Sequence, residues 1–400
     1  MSQSFGAKVM GAVLGAAMAG MSAGGAVAQS GPVKIGLVTT LSGPGAGLGI
    51  DIRDGFELAV KLAGGKLGDA EVDLLVRDDQ QKPDVTKQLV DELIKRDQVE
   101  FMTGIVFSNL MLAVGPDIFA AKTFYISANA GPSQYAGAEC SPYFFNVAWQ
   151  NDNLHEAMGQ HVQSKAVPSV ALVAPNYPAG KDALTGFKRF FKGEVVEETY
   201  TQLGQLDYAA EIAQIRASGA KGVYAFLPGG MGISFIKQYV GAGLDRSTPL
   251  FLPGFSADED VLRGLAGNEA GLFNSTHWAL ELDNAANRTF VAEFEKAYGR
   301  KPSLYASQGY DAALLIGSAI ESVGRDKLSD KAAVQKALAA AGYDSVRGDW
   351  RFNANQYPVQ DYYLRETAVV DGKLTNRLLG AIFEDHADAY VGECKMAAAQ

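Results

Sequence analysis

The chain has 400 residues, 48% of them hydrophobic and 20% charged, with a formal net charge of -10 at pH 7. That length suits two domains, and that apolar content can bury sizeable cores, which excludes a disordered chain. The acidic balance offers no basic stripe to neutralise phosphates and excludes a nucleic-acid partner, while leaving open a small ligand in a locally positive site.

Residues 1–28 differ in kind from the rest. Lys8 precedes an apolar, small-residue run over 9–21, and Ala26-Val27-Ala28 matches an A-x-A cleavage site. The expectation is a secretory signal peptide with Gln29 as the new N-terminus. A membrane anchor is the alternative, for which the run is weakly hydrophobic. Cys140 and Cys394 read, in an exported chain, as one disulfide or as two buried thiols. Neither has a second ligand at metal-binding spacing, so no metal and no cofactor is expected.

The rest of the chain is organised around 33–60. A β-branched, apolar strand leads into the glycine-rich loop 42–49, and Ile52, Phe56, Ala59, Val60 and Ala63 then repeat at helical spacing. No G-x-G-x-x-G register fits GPGAGLG, so a dinucleotide fingerprint is not indicated. Residues 71–77 alternate acidic and apolar side chains before the turn 78–83, and Asp84 is expected to cap a helix through Leu89, Leu93 and Ile94. A strand over 101–106 ends at Phe107-Ser108-Asn109, and helical material follows to Phe119. Another strand over 123–127 ends at Ala128-Asn129-Ala130-Gly131-Pro132. The pattern restarts after Asp152. Strands over 170–174, 223–227, 250–253 and 272–276 end respectively at Asn176-Tyr177-Pro178, Pro228-Gly229-Gly230-Met231, Gly254-Phe255-Ser256 and His277-Trp278. Helices are expected over 154–162, 208–218 (capped by Asp207), 233–242, 287–298, 305–323 and 329–341. Strands over 349–352, 362–367 and 378–382 close the chain. Regular alternation indicates an α/β fold with parallel sheets. Three final strands are too few for a domain, so the chain is expected to cross between two lobes more than once, as in a hinged molecule.

Chemistry at these strand ends points to binding. Ser108 offers a hydroxyl and free N–H groups at a helix start, which favour an anion; a plain N-cap serine is the alternative. Phe107, Tyr177, Phe255 and Trp278 sit at strand termini, where they can stack on a ring or serve as ordinary core. The histidines His155, His161, His277 and His386 are scattered. His155 and His161, six apart, lie on different helix faces and read as core or surface, while His277 can reach a ligand oxygen. Arg53 and Lys181 could assist an anion but read as solvated. No G-x-S-x-G, P-loop or H-E-x-x-H motif points to catalysis.

The export signal, VKIGLVTTLSGPGAGLG, DDQQKP, GIVFSNL, YISANAG and SLYASQGYDAALLI together resemble type I periplasmic solute-binding proteins, in the branched-chain amino-acid-binding-like family that serves ABC transporters. The resemblance covers nearly all of the mature chain. NVAWQND, HEAMGQHV, PNYPAGKDALTGFKRFF, LGQLDYAAEIAQIRA, PGGMGISFIKQY and FEDHADAYVGECKM are similar to a subgroup associated with benzoate, hydroxybenzoate and phenylpropanoid acids. The resemblance implies a two-lobed α/β fold, each lobe a mostly parallel sheet flanked by helices, with three hinge crossovers. Lobe 1 would comprise 31–149 plus 280–352, lobe 2 would comprise 150–279 plus 353–392, and 393–400 would be a tail. It also implies a periplasmic location, no enzymatic activity, ABC permease subunits as partners and a monomeric chain.

By the same resemblance, Ser108 holds a ligand carboxylate, helped by Asn109, by Ser42 of the glycine-rich loop and by the second clamp loop at Ala128, Asn129 and Ala130. Gly131 stands where the family has a threonine. Gly230 and Met231 fall where the branched-chain binders carry the glutamate that pairs with the ligand ammonium, and no acid occurs between Pro228 and Gln238. An ammonium buried without a carboxylate is costly. The expected ligand is therefore an aromatic carboxylate without an amine, with Met231 as a polarizable ring contact. A branched-chain or other aliphatic amino acid, a periplasmic enzyme on the same scaffold and a ligand sensor remain the alternatives.

Overall fold

A computed structural model describes residues 31–397, apart from 266 and 268; the expected signal peptide therefore lies outside the described residues. The strands are β1 Val33–Thr39, β2 Lys66–Leu67, β3 Ala70–Asp78, β4 Phe101–Thr103, β5 Phe124–Ser127, β6 Phe144–Asn146 and β7 Ser169–Pro175. They continue with β8 Glu194–Thr201, β9 Gly222–Ala225, β10 Leu250–Pro253, β11 Phe273–Thr276, β12 Arg351–Phe352, β13 Pro358–Val370 and β14 Lys373–His386.

These strands form two sheets, one per lobe. The first runs β2-β3-β1-β4-β5-β6; the second runs β12-β13-β11-β10-β9-β7-β8, with β14 paired to β13. Pairing is parallel through β3, β1, β4, β5 and β6, and through β8, β7, β9, β10 and β11. Hence the central strands of both sheets, such as β1, β5, β7 and β9, are buried between helices and read as continuous apolar runs. In each, the winding reverses once. β1 lies between β3 and β4, and β7 lies between β8 and β9. At such a reversal the two flanking connections leave on opposite faces and open a crevice at the strands' carboxyl ends. The two crevices face each other.

The chain passes between the sheets three times: after β6, after β11 and ahead of β13. Arg347 ties the first and third of these passages to the helix Leu304–Val323. It pairs with buried Asp311 at 3.0 Å, donates to Gln360 Oε1 at 2.6 Å and also reaches the Val147 carbonyl. Cys140, beside β6, is bonded to Cys394 in the tail that leaves β14, with Cα atoms 5.6 Å apart. That bond adds a covalent link between the lobes' chain segments. Among the described residues, no helix is long and apolar enough to cross a membrane.

Several local expectations are corrected. The helix Pro83–Glu92 starts one residue before Asp84, with Pro83 in its first turn and Lys82 at its N-cap. Proline suits that place because its missing N–H would have no helical partner there. Lys95 and Arg96 sit in a π-helical turn, Leu93–Asp97, that follows it. The strands expected at 362–367 and 378–382 are the middles of β13 and β14, a long hairpin closed by Asp371 and Gly372, both with positive φ. Such a two-residue Asp-Gly loop is the strongest short hairpin signal in the sequence. Strands β2, β6 and β8 were not anticipated.

Candidate functional site

The first wall of the cleft is built at the ends of β1 and β4. The glycine-rich loop passes so close to Phe107 that a Cβ on Gly45 would stand 2.9 Å from its ring. Phe107 has extended backbone and is the N-cap of the helix Ser108–Ala120, so the helix starts inside the cleft. The Ser108 hydroxyl accepts from Asn151 Nδ2 at 3.1 Å. Asn151 is itself held by Gly131, whose N–H donates to its Oδ1 at 3.0 Å. Asn129 donates to the Val106 carbonyl at 2.6 Å.

The facing wall comes from the ends of β7, β9 and β10. Tyr177 is the N-cap of a second helix, Pro178–Phe190, which also begins in the cleft. Its ring lies 6.2 Å from Phe107 across the gap and 6.3 Å from Phe226 beside it. Phe226 packs against Phe255 at 5.4 Å, and Phe255 against Trp149 at 4.4 Å, edge to face. His155 stacks on Phe255 at 5.5 Å and hydrogen-bonds Tyr224 through Nδ1. Burial pulls its pKa down to about 3, so the imidazole is neutral. Leu48, Val106, Ala179, Pro228 and Tyr305 complete the enclosure, whose free volume with the lobes closed is about 20 Å³, room for about one water, so a ring is admitted only as the walls move apart.

The lobes are closed on this cavity. Gly230 N–H donates to the Pro44 carbonyl at 3.1 Å, Ser133 Oγ donates to Asp182 at 2.9 Å, and Arg263 pairs with Asp51 at 3.3 Å. Gly229 makes the first contact feasible: its φ is +61°, and Leu48 packs against it. Among the described residues, no Asp, Glu, Lys or Arg lines the enclosure. Asp182 lies just behind it, raised in pKa by burial and engaged by Asn151 and Ser133. What charge complementarity exists comes from two helix N-termini, whose first N–H groups have no intrahelical partner and favour an anion.

Of the residues singled out from the sequence, Phe107, Ser108, Asn129, Tyr177 and Phe255 line the enclosure. The others stand elsewhere. Met231 is buried inside the second lobe, where its sulfur accepts from Gly204 N–H at 3.2 Å, because the helix Gly230–Gly241 turns it away from the cleft. Trp278 packs on Phe290 and donates from Nε1 to Asn287 at 2.7 Å, a core role at the second crossing. Ser42 is exposed, its hydroxyl turned to Asp78. Ala128 and Ala130 are buried behind the wall, and the Ala130 carbonyl is taken by Ser127 and Asn146. Asn109 is not among the lining residues, and Gly230 serves closure through Pro44. His155, expected in core or surface, is a wall residue. His277 is fully enclosed against Trp149 at 5.1 Å, held neutral by burial and by Arg347 and Arg365. Arg53 pairs with Asp54. Trp149, Asn151, Phe226 and Tyr305 were missed as wall residues: Phe226 fell inside the strand expected over 223–227, and Trp149 follows β6, which was not anticipated.

The periplasmic binding protein family profile matches residues 32–373. The chain belongs to the periplasmic binding protein family. It is 32% identical over 364 residues to Leu/Ile/Val-binding protein homolog 6 of Brucella melitensis, covering 89% of this chain and 92% of that protein. Among solved structures it is similar to a solute-binding protein of an ABC transporter from R. palustris in complex with benzoate. That likeness has 33% identity and a TM-score of 0.86, over 91% of this chain and 100% of the other. A second R. palustris solute-binding protein, in complex with 4-hydroxybenzoate, is 29% identical with a TM-score of 0.81, over 90% and 98% of the two chains. Family members of this kind bind solutes, and the two-lobed fold is theirs.

Proposed function

We propose that this chain is the exported, periplasmic binding component of an ABC importer, and that it captures an aromatic monocarboxylate as its lobes, 31–149 plus 280–352 and 150–279 plus 353–392, close. The observation that carries this is a cavity walled by Phe107, Tyr177, Phe226 and Phe255 into which two helix N-termini open. A ring among those side chains buries about 150 Å² of apolar surface, which stabilises the complex by roughly 4 kcal/mol. Micromolar affinity needs about 8 kcal/mol, so the Ser108 end must supply a comparable share. No covalent chemistry is required of any group in the wall; capture and release suffice.

The benzoate-bound neighbour supports this reading. The curated relative's name favours a second one, a branched-chain amino acid. Against it stands the lining itself, in which no carboxylate among the described residues is available to an α-ammonium. Titration calorimetry with benzoate and with leucine separates the two. Benzoate binding with no heat from leucine is expected; the reverse ranking would reject the aromatic reading.

A further inference from the structure

The polar groups of the cavity wall are unevenly matched to a carboxylate. N–H groups at the starts of Ser108–Ala120 and Pro178–Phe190 are donors, and so is the Ser108 hydroxyl, whose oxygen already accepts from Asn151. An ionised carboxylate, which only accepts, suits that set. Asn129 is of the opposite kind. Its side chain is 8% exposed and lies in the wall, and its Nδ2 donates to the Val106 carbonyl at 2.6 Å. This bond fixes the amide's orientation, since a flip would set Oδ1 against a carbonyl oxygen. Oδ1 is therefore an acceptor, and it is buried with no hydrogen-bond partner. The Tyr305 hydroxyl, fully buried in the same wall, is also unpaired, but it can either donate or accept.

A guest whose polar atoms are all acceptors leaves Asn129 Oδ1 unsatisfied, and a buried unmet acceptor is unfavourable. We propose that the ligand carries, besides its carboxylate, a ring hydroxyl whose hydrogen is received by Asn129 Oδ1, so that the site selects hydroxybenzoate-type acids over benzoate. This rests on the aromatic-carboxylate reading and narrows it. An amino acid would also bring donors, yet one amide oxygen is a poor substitute for a carboxylate beside a full ammonium charge.

Calorimetry on the wild-type chain with benzoate, 3-hydroxybenzoate and 4-hydroxybenzoate, and on Asn129→Leu with the same panel, tests it. At least one hydroxy isomer should bind wild type about tenfold tighter than benzoate. In Asn129→Leu that preference should collapse, the hydroxy isomers losing about tenfold more affinity than benzoate does. Benzoate binding wild type within about threefold of both isomers would overturn the hydroxyl assignment and leave the aromatic reading standing. A preference surviving unchanged in Asn129→Leu would overturn the assignment to Asn129. If no acid of the panel binds wild type, the broader reading falls and takes this one with it. Should Asn129→Leu fail to fold, the wild-type ranking alone decides.

Discussion

The two walls of the cleft differ in chemistry and in the way the chain builds them. The wall on the first sheet is compact in sequence: Val106, Phe107 and Ser108 are consecutive, and Asn129 follows the next strand of the same sheet. It holds the hydroxyl, the amide and one helix start. The wall on the second sheet is gathered from His155, Tyr177, Phe226 and Phe255, which lie on separate segments and touch one another ring to ring. A short loop at a strand end can place polar atoms by itself, because backbone geometry sets them. A ring shelf needs several strand ends aligned, and the parallel sheet supplies that alignment. The first wall grips charge; the second supplies area.

The contrast can be broken at several points. The largest effect is expected where the lobes are tied. Replacing both Cys140 and Cys394 by serine opens a bond that spans 254 residues, and the chain-entropy model gives a loss of about 5 kcal/mol. Urea unfolding should show it, and an unchanged midpoint would mean that the tie contributes nothing to stability. Next is the ring shelf. Phe226→Ala removes a side chain that is 3% exposed and should cost about 3–5 kcal/mol of folding stability, with binding of aromatic acids weakened as well. If stability drops but affinity holds, the shelf is core alone. On the polar wall, Ser108→Ala should weaken carboxylate binding by about 1–3 kcal/mol with little loss of stability, since Asn151 keeps its bond to Asp182 at 2.9 Å. Equal affinity in the variant would remove Ser108 from the grip.

The smallest effect separates the walls by pH. His155 is 1% exposed and its pKa is lowered by burial to about 3, against roughly 6.5 in an unfolded chain. Between those values the unfolded chain takes up a proton that the native state refuses, so stability falls as pH drops below about 6.5. The slope from this group approaches about 1.4 kcal/mol per pH unit. His155→Gln should lose less stability than wild type on passing from pH 6 to pH 5, measured by parallel urea titrations. Parallel losses in the two proteins would contradict a neutral, buried imidazole.

Much of this was legible beforehand. The alternation of apolar runs with helical periods gave the α/β class. The turn residues after each run located the strand ends where Phe107, Ser108, Tyr177 and Phe255 stand. Elements with weak internal signals were not legible. β8, Glu194–Thr201, is an edge strand rich in glutamate and half exposed, so it lacks an apolar run. β6 is three residues long. The hairpin β13–β14 carried its Asp-Gly turn openly, and only the length of its strands was underestimated.

Residue type and local order determined that this chain is a two-lobed α/β protein with a serine at a helix start on one side of a cleft. They could not determine which aromatic side chains face the gap. Met231 and Trp278 follow strand ends just as Tyr177 and Phe255 do, yet one turns into the second lobe's core and the other bonds Asn287. Trp149, Phe226 and Tyr305 belong to segments far apart in the chain, and they meet only when two sheets and three crossings are in place. A sequence period reports that a face is covered; what covers it depends on helix phase and on the approach of the opposite lobe.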